Sequence, residues 1–191
     1  MRTDKSVFPF IIMAILAGVL WGIPASIANE VNKGEIPAEH LDESCKKLPW
    51  GVAVWDIPEA VAHLKSAGKI LWVDTRPESF FDKGTVRDAI LLTYDKSGEP
   101  GNKLTRESLE SALSATGLSK TDATIVFFCQ GPKCHRSYNA TYVAATQWGF
   151  PPEKIVWFRS GYPLLLKDVR SNPKMKRKAK QYISDTGIKS L

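Results

Sequence analysis

From about residue 50 onward, short apolar runs alternate with segments whose apolar residues recur every three or four positions. The runs are typical of strands buried on both faces, and the other pattern is typical of helices that pack one face against a sheet. Strands are predicted at residues 52–55, 70–73, 89–92, 123–128 and 155–158. This alternation predicts an α/β fold with a central, mostly parallel sheet flanked by helices.

Residues that start or end helices mark the segments between the strands. The first helix ends at Gly68, the second begins at Thr105 and ends at Gly117, and the third covers residues 136–148. The order of elements predicts one α/β domain over residues 50–170.

The N-terminal segment has a different pattern. Arg2 and Lys5 precede an uncharged apolar run at residues 7–23, and small residues follow at 25–28. We interpret residues 1–28 as a cleaved signal peptide, with an uncleaved anchor as the alternative because the run is close to the about 20 residues of a spanning helix. The chain is therefore expected to be periplasmic or otherwise extracytoplasmic, and associated with the inner membrane if the segment is retained.

Two polar segments flank the predicted domain. Residues 29–49 show no sustained periodicity and are interpreted as an irregular lead-in. Residues 171–191 form a basic tail whose charge is concentrated at 174–180. We interpret the tail as a solvated terminal helix, with contact to an anionic membrane surface or an acidic partner as the alternative.

Composition narrows the class of protein. With 191 residues, 43% hydrophobic and 24% charged, the chain is typical of a folded globular protein of one domain. The net charge of +6 would suit a nucleic-acid ligand, but an exported protein seldom meets one. Nucleic acid is therefore not expected as a partner.

The candidate chemistry lies where the strongest predicted strand runs directly into Cys129. A loop at residues 130–135 and the start of a helix follow, so backbone amides and the helix dipole favour an anion there. Such an environment favours the thiolate, which is the nucleophilic form of cysteine. Lys133, His135 and Arg136 add positive charge, which suits an anionic substrate such as thiosulfate.

Four motifs occur in an order that is known from one family: Asp-Thr-Arg at residues 74–76 after a buried strand, the segment 80–90, Cys129 with its loop and Arg136, and Ser-Gly-Tyr-Pro at 160–163. With these motifs the chain resembles the rhodanese family over about residues 50–168.

The resemblance implies a sulfurtransferase or sulfur carrier. Cys129 would take a sulfane sulfur from a small sulfur-containing anion, hold it as a persulfide and pass it to a thiol acceptor. Arg136 is assigned to catalysis with Cys129, and Asp74 to structural support. The candidate substrate contacts are Gln130, Gly131, Lys133, His135 and Arg76. No cofactor is implied.

The loop departs from the family pattern. Six residues separate Cys129 from Arg136, which is more than in ordinary rhodaneses or in the cell-cycle phosphatases of the same fold. Pro132 also removes one amide donor from the loop. Residues 84–89 replace the histidine and proline that are usual there. Phosphatase-like or arsenate chemistry is the least favoured alternative.

Cys134 is the more informative departure, because it follows Cys129 by five positions in a compartment expected to be oxidising. A disulfide between them would cap the nucleophile or act as a redox couple, and the domain would then be a redox or non-catalytic module that binds a periplasmic partner. Alternatively, Cys134 resolves a persulfide on Cys129, or stays unpaired. Cys45 makes the number of cysteines odd. The sequence leaves three states of Cys45 open: a disulfide with Cys134, a disulfide between chains, or a free thiol.

Cys129, Cys134 and His135 also form a cluster of soft ligands. Their spacing does not match the paired motifs of structural zinc sites. No metal is therefore predicted.

Overall fold

The computed structural model of the protein describes residues 29–66 and 68–191. Five strands form one sheet: β1 (Ala53–Trp55), β2 (Ile70–Asp74), β3 (Ile90–Leu91), β4 (Thr124–Phe128) and β5 (Ile155–Phe158). Their order is β1-β5-β4-β2-β3, and every neighbouring pair is parallel. The predicted α/β fold is confirmed, with β3 shorter than expected.

Eight α-helices are described: α1 (Ala38–Leu41), α2 (Ile57–Leu64), α3 (Glu78–Phe81), α4 (Arg106–Ala115), α5 (His135–Thr146), α6 (Gly161–Ser171), α7 (Pro173–Arg177) and α8 (Asp185–Ile188). Short 3-10 helices cover Pro152–Lys154 and Ala179–Gln181. Helix α4 begins as its sequence indicates, because the Thr105 hydroxyl accepts a hydrogen bond from the Ser108 amide.

The sheet separates two hydrophobic cores. In β4, Ile125 and Phe127 belong to one core, while Val126 and Phe128 belong to the other, and all four are fully buried. Helices α4 and α5 cover the first face, and α6 covers the second. Burial on both faces explains why residues 123–128 have a continuous apolar sequence rather than an alternating one.

The lead-in packs against the first core. Ile36 and Leu48 are buried there. The Val31 amide donates a hydrogen bond of 2.9 Å to Asn139 Oδ1, and Asn139 Nδ2 donates back to the Val31 carbonyl. Apart from α1 its backbone is irregular, yet residues 29–49 are an integral part of the folded unit.

The C-terminal segment, residues 171–191, is not a solvated terminal helix, and that interpretation is wrong. Its lysines are exposed, but four apolar residues are buried in the second core, namely Met175, Ala179, Tyr182 and Ile183. Val86 and Ile183 form an antiparallel bridge. The segment folds back because these apolar residues recur at helical spacing between the charged ones.

The predicted signal or anchor segment, residues 1–28, lies outside the described residues, and so does membrane association through residues 7–23. In residues 29–66 and 68–191, no helix has the length and apolar character needed to cross a bilayer.

Candidate active site at the end of strand β4

Cys129 directly follows the central strand β4 and is 1% exposed. Both the amide and the hydroxyl of Thr75 donate to the Phe128 carbonyl, at 3.1 and 2.9 Å, which anchors this strand end to β2. The Tyr162 amide donates to the Cys129 carbonyl at 3.1 Å. The start of α6 therefore fixes the position of the cysteine backbone.

Gly161 makes this close approach possible. Its φ of +66° lies in the left-handed region, where a side chain is strained. A Cβ atom there would overlap the Cys129 carbonyl oxygen and lie 2.7 Å from the Gly131 nitrogen. Only glycine fits between α6 and the cysteine loop, which explains the glycine in the Ser-Gly-Tyr-Pro motif.

Cys129 and Cys134 are joined by a disulfide, with their Cα atoms 6.2 Å apart. The Cys134 amide donates to the Gly131 carbonyl at 3.0 Å and closes the loop into a turn. Cys134 is half-buried, whereas Cys129 is buried. Of the pairings that the sequence left open, the structure contains this one, and Cys45 is free.

Three backbone amides of the loop have no hydrogen-bond partner among the described residues. Within residues 29–66 and 68–191, the backbone amides of Gln130, Gly131 and Lys133 donate to no protein atom. The twelve-residue helix α5 begins directly after Cys134. Free amides and a helix N-terminus together favour negative charge beside the two sulfur atoms.

Asp95 holds the first two residues of α5. One of its oxygens lies 2.7 Å from His135 Nε2, and the other accepts a hydrogen bond of 2.6 Å from Arg136 Nη2. Burial would raise the pKa of Asp95, but the bond to His135 and the charge of Arg136 outweigh it and lower that pKa. His135 is itself buried. These two predicted site residues thus lie at the loop but are bound to a carboxylate that the sequence analysis did not identify.

A second cluster lies at the end of β2. Arg76 donates to both Asp74 oxygens, through Nε at 2.9 Å and Nη2 at 2.6 Å, and Nη2 also donates to the Gly84 carbonyl. Asp74 accepts a further bond from the Thr85 hydroxyl at 2.7 Å. The Arg76 guanidinium lies 4.7 Å from the centre of the Tyr162 ring. Asp74 therefore has the supporting contacts expected of it, and Arg76 is mainly bound to the protein itself.

A cavity of about 570 Å³ opens beside the disulfide. Cys134, Gln130 and Lys133 line it from the loop, Phe80 lines it from α3, and Lys33 lines it from the lead-in. Phe80 is 42% exposed although its side chain is apolar. The cavity therefore combines an apolar wall with positive charge, and two of its walls were not predicted from the sequence.

The fold is α/β with a parallel β-sheet. A cysteine lies at the end of the central strand, and an amide-rich loop and a helix follow it. Residues 57–167 match the family of rhodanese-like domains. The match covers more than half of the chain, and the chain therefore belongs to this family.

The chain is also similar to three solved structures. A protein from Bacillus halodurans is 23% identical, with a TM-score of 0.44, over 60% of this chain and 71% of that one. A rhodanese-like domain from an Anabaena species is 18% identical, with a TM-score of 0.40, over 58% and 70%. As-Sb reductase from Leishmania major is 16% identical, with a TM-score of 0.45, over 63% and 80%. No curated protein matches the chain.

Proposed function

We propose that the protein is an extracytoplasmic sulfurtransferase in which Cys129 accepts a sulfane sulfur from an anion such as thiosulfate and Cys134 then releases it as hydrosulfide. The observation that carries this proposal is the Cys129–Cys134 disulfide, which lies in a loop with free amides. Export rests on the signal-like pattern of residues 1–28.

In the first step, the reduced Cys129 thiolate attacks the outer sulfur of thiosulfate. The sulfur–sulfur bond of the donor breaks, sulfite leaves with the bonding electron pair, and Cys129 carries a persulfide. The amides of Gln130, Gly131 and Lys133, which are unpaired within the described residues, support this step, because free amides stabilise an anionic donor and a persulfide. The charge of exposed Lys133 attracts the donor to the loop.

In the second step, the Cys134 thiolate attacks the Cys129 sulfur. The Cys129–Cys134 bond forms, the bond to the outer sulfur breaks, and this sulfur leaves with the electron pair as hydrosulfide. The outer sulfur is thereby reduced, and the two cysteines are oxidised. The Cα separation of 6.2 Å supports this step because it lies within the range that a disulfide spans.

In the third step, an external thiol restores the site. Since Cys134 is the more exposed partner, the incoming thiolate attacks its sulfur, and Cys129 leaves as a thiolate into the amide-lined loop. A second thiol then releases Cys134. One donor and two thiols thus give sulfite, hydrosulfide and an external disulfide.

A second candidate function is a redox or binding module that recognises a periplasmic protein and performs no sulfur transfer. The disulfide favours it because the bond caps the only cysteine at the end of β4. In this case Cys129 takes up no sulfur from the donor, even after the disulfide is reduced.

Mass spectrometry of the reduced protein after exposure to thiosulfate tests the proposal, with Cys45→Ser as background to simplify the thiol count. In a single turnover without added thiol, we expect the protein with both loop cysteines to release hydrosulfide and end as the disulfide. Cys134→Ser should retain one extra sulfur on Cys129, and Cys129→Ser should take up none. Reduced protein that keeps both thiols and gains no sulfur would instead support the redox or binding module.

A further inference from the structure

A second cavity, of about 770 Å³, adjoins the one beside the disulfide. Phe80 and Gln130 line both cavities, so the two meet at these side chains. We call this second cavity the basic groove. Its far wall is formed by Arg170 and Lys189, which lie beyond residue 167, where the match to the family ends. One wall of the groove therefore comes from residues outside the family match, while the rest comes from the matched domain.

The groove carries an excess of positive charge. Arg76, Lys83, Arg170 and Lys189 line it, and Asp82 is the one carboxylate among its lining side chains. Arg76 is paired with Asp74, whereas the other three cations form no ion pair within the described residues. Three such cations against one carboxylate attract a ligand with at least two negative charges.

One of the cations that line the groove is buried. Arg76 is 2% exposed and lines the groove. Its Nε and Nη2 atoms are bound to Asp74 and Gly84, while Nη1 donates to no atom in the described part of the protein. A guanidinium nitrogen that is left free in a buried, fixed side chain is suited to bind a carboxylate.

The size and the apolar wall of the groove indicate an organic ligand. Thiosulfate is far smaller than a cavity of this volume, which lies in the range of organic-ligand pockets. Phe80, Pro163 and Leu166 contribute apolar surface. A ligand whose carboxylates lie near Lys83 and Lys189 would extend over Phe80 towards Cys134.

We propose that the basic groove binds the thiol that reduces the Cys129–Cys134 disulfide, and that this thiol is an organic anion carrying two or more carboxylates. The inference rests on the proposed function, whose third step requires such a reductant. The bound thiolate forms a mixed disulfide with Cys134 as the Cys129–Cys134 bond breaks, and Cys129 leaves as the thiolate. A second molecule of the same thiol releases Cys134 and forms the external disulfide.

Binding is tested without any sulfur chemistry by titrating the oxidised protein with methylthiosuccinate, an unreactive dicarboxylate thioether, in a calorimeter. We expect saturable binding that is at least tenfold tighter than that of its uncharged dimethyl ester. Lys83→Gln combined with Lys189→Gln should weaken binding of the dicarboxylate at least tenfold. The matched control, Lys174→Gln with Lys176→Gln, removes two exposed cations that do not line the groove and should leave binding unchanged.

The reducing step is tested by the rate at which mercaptosuccinate opens the disulfide, compared with the neutral thiol 1-thioglycerol at equal thiolate concentration. We expect at least a tenfold preference for mercaptosuccinate over 1-thioglycerol, which the groove variant loses and the control variant, Lys174→Gln with Lys176→Gln, keeps. Equal rates for the two thiols, or an equal loss in the control variant, would overturn the groove assignment. Neither experiment uses thiosulfate. A failure of sulfur uptake at Cys129 would therefore count against the proposed function and not against the groove assignment.

Discussion

Two aspartate–arginine pairs lie close to the cysteine loop, and the two aspartates differ in their exposure to solvent. The Asp74 carboxylate is fully buried and binds Arg76. The Asp95 carboxylate binds Arg136, and the Asp95 side chain is 38% exposed. The first pair joins β2 to the segment around Gly84, and the second orients the start of α5. The same chemical pair thus supports the fold where it is buried and the site where water reaches it.

Breaking the buried pair should have the largest effect. Arg76→Met would leave the Asp74 carboxylate buried without its partner, and loss of one partner of a buried pair costs about 3–5 kcal/mol. We expect the free energy of unfolding, measured in urea, to fall by about that amount. The matched change Arg136→Met, at the exposed pair, should cost about 1 kcal/mol or less. Equal losses in the two variants would contradict the division between a structural and a site cluster.

Gly161→Ala, at the contact between α6 and the cysteine loop, should have an intermediate effect. The substitution strains a residue with φ of +66° and overlaps the Cys129 carbonyl. We expect a loss of at least about 1–3 kcal/mol, together with slower sulfur uptake at Cys129. Gly149→Ala is the control, because Gly149 has φ of +72° and open space around its Cβ position. If the free energy of unfolding falls equally in both variants, the contact with Cys129 contributes nothing to stability beyond the backbone strain.

The exposed pair should give the smallest effect and a dependence on pH. Because the pKa of Asp95 is lowered in the folded protein, its contribution is fully present above its unfolded value of about 3.9 and is lost as pH falls through the folded value. Asp95→Asn should therefore reduce stability at pH 7 by about 1 kcal/mol or less. The difference from the unmodified protein, measured by urea unfolding, should disappear in acid below the folded pKa. A difference that stays constant over this range would show that the contribution is not ionic.

Much of the fold follows from the sequence because its strands are buried on both faces. The continuous run at residues 123–128 can only be accommodated between two cores, and this places β4 at the centre of the sheet. The composition of the C-terminal segment favours a solvated tail because lysines dominate it. The apolar spacing from Met175 to Tyr182 indicates its buried face instead.

The candidate site was only partly predictable. Cys129 and its loop follow from local sequence, since a strand, a turn and a helix start adjoin there. Asp95 is 40 positions from His135, and no local pattern indicates a contact that depends on how two loops meet. The disulfide partner of Cys129 likewise requires a distance that the spacing of cysteines does not supply.

The C-terminal segment also sets the smallest fragment that should fold. The family match ends at residue 167, yet Tyr182 and Ile183 pack in the second core and Val86 pairs with Ile183. A chain that ends at residue 167 would keep the complete disulfide loop but expose the apolar surface that the C-terminal segment covers. This exposure makes the fragment prone to aggregate. The family match and the unit expected to fold on its own therefore end at different residues in this protein.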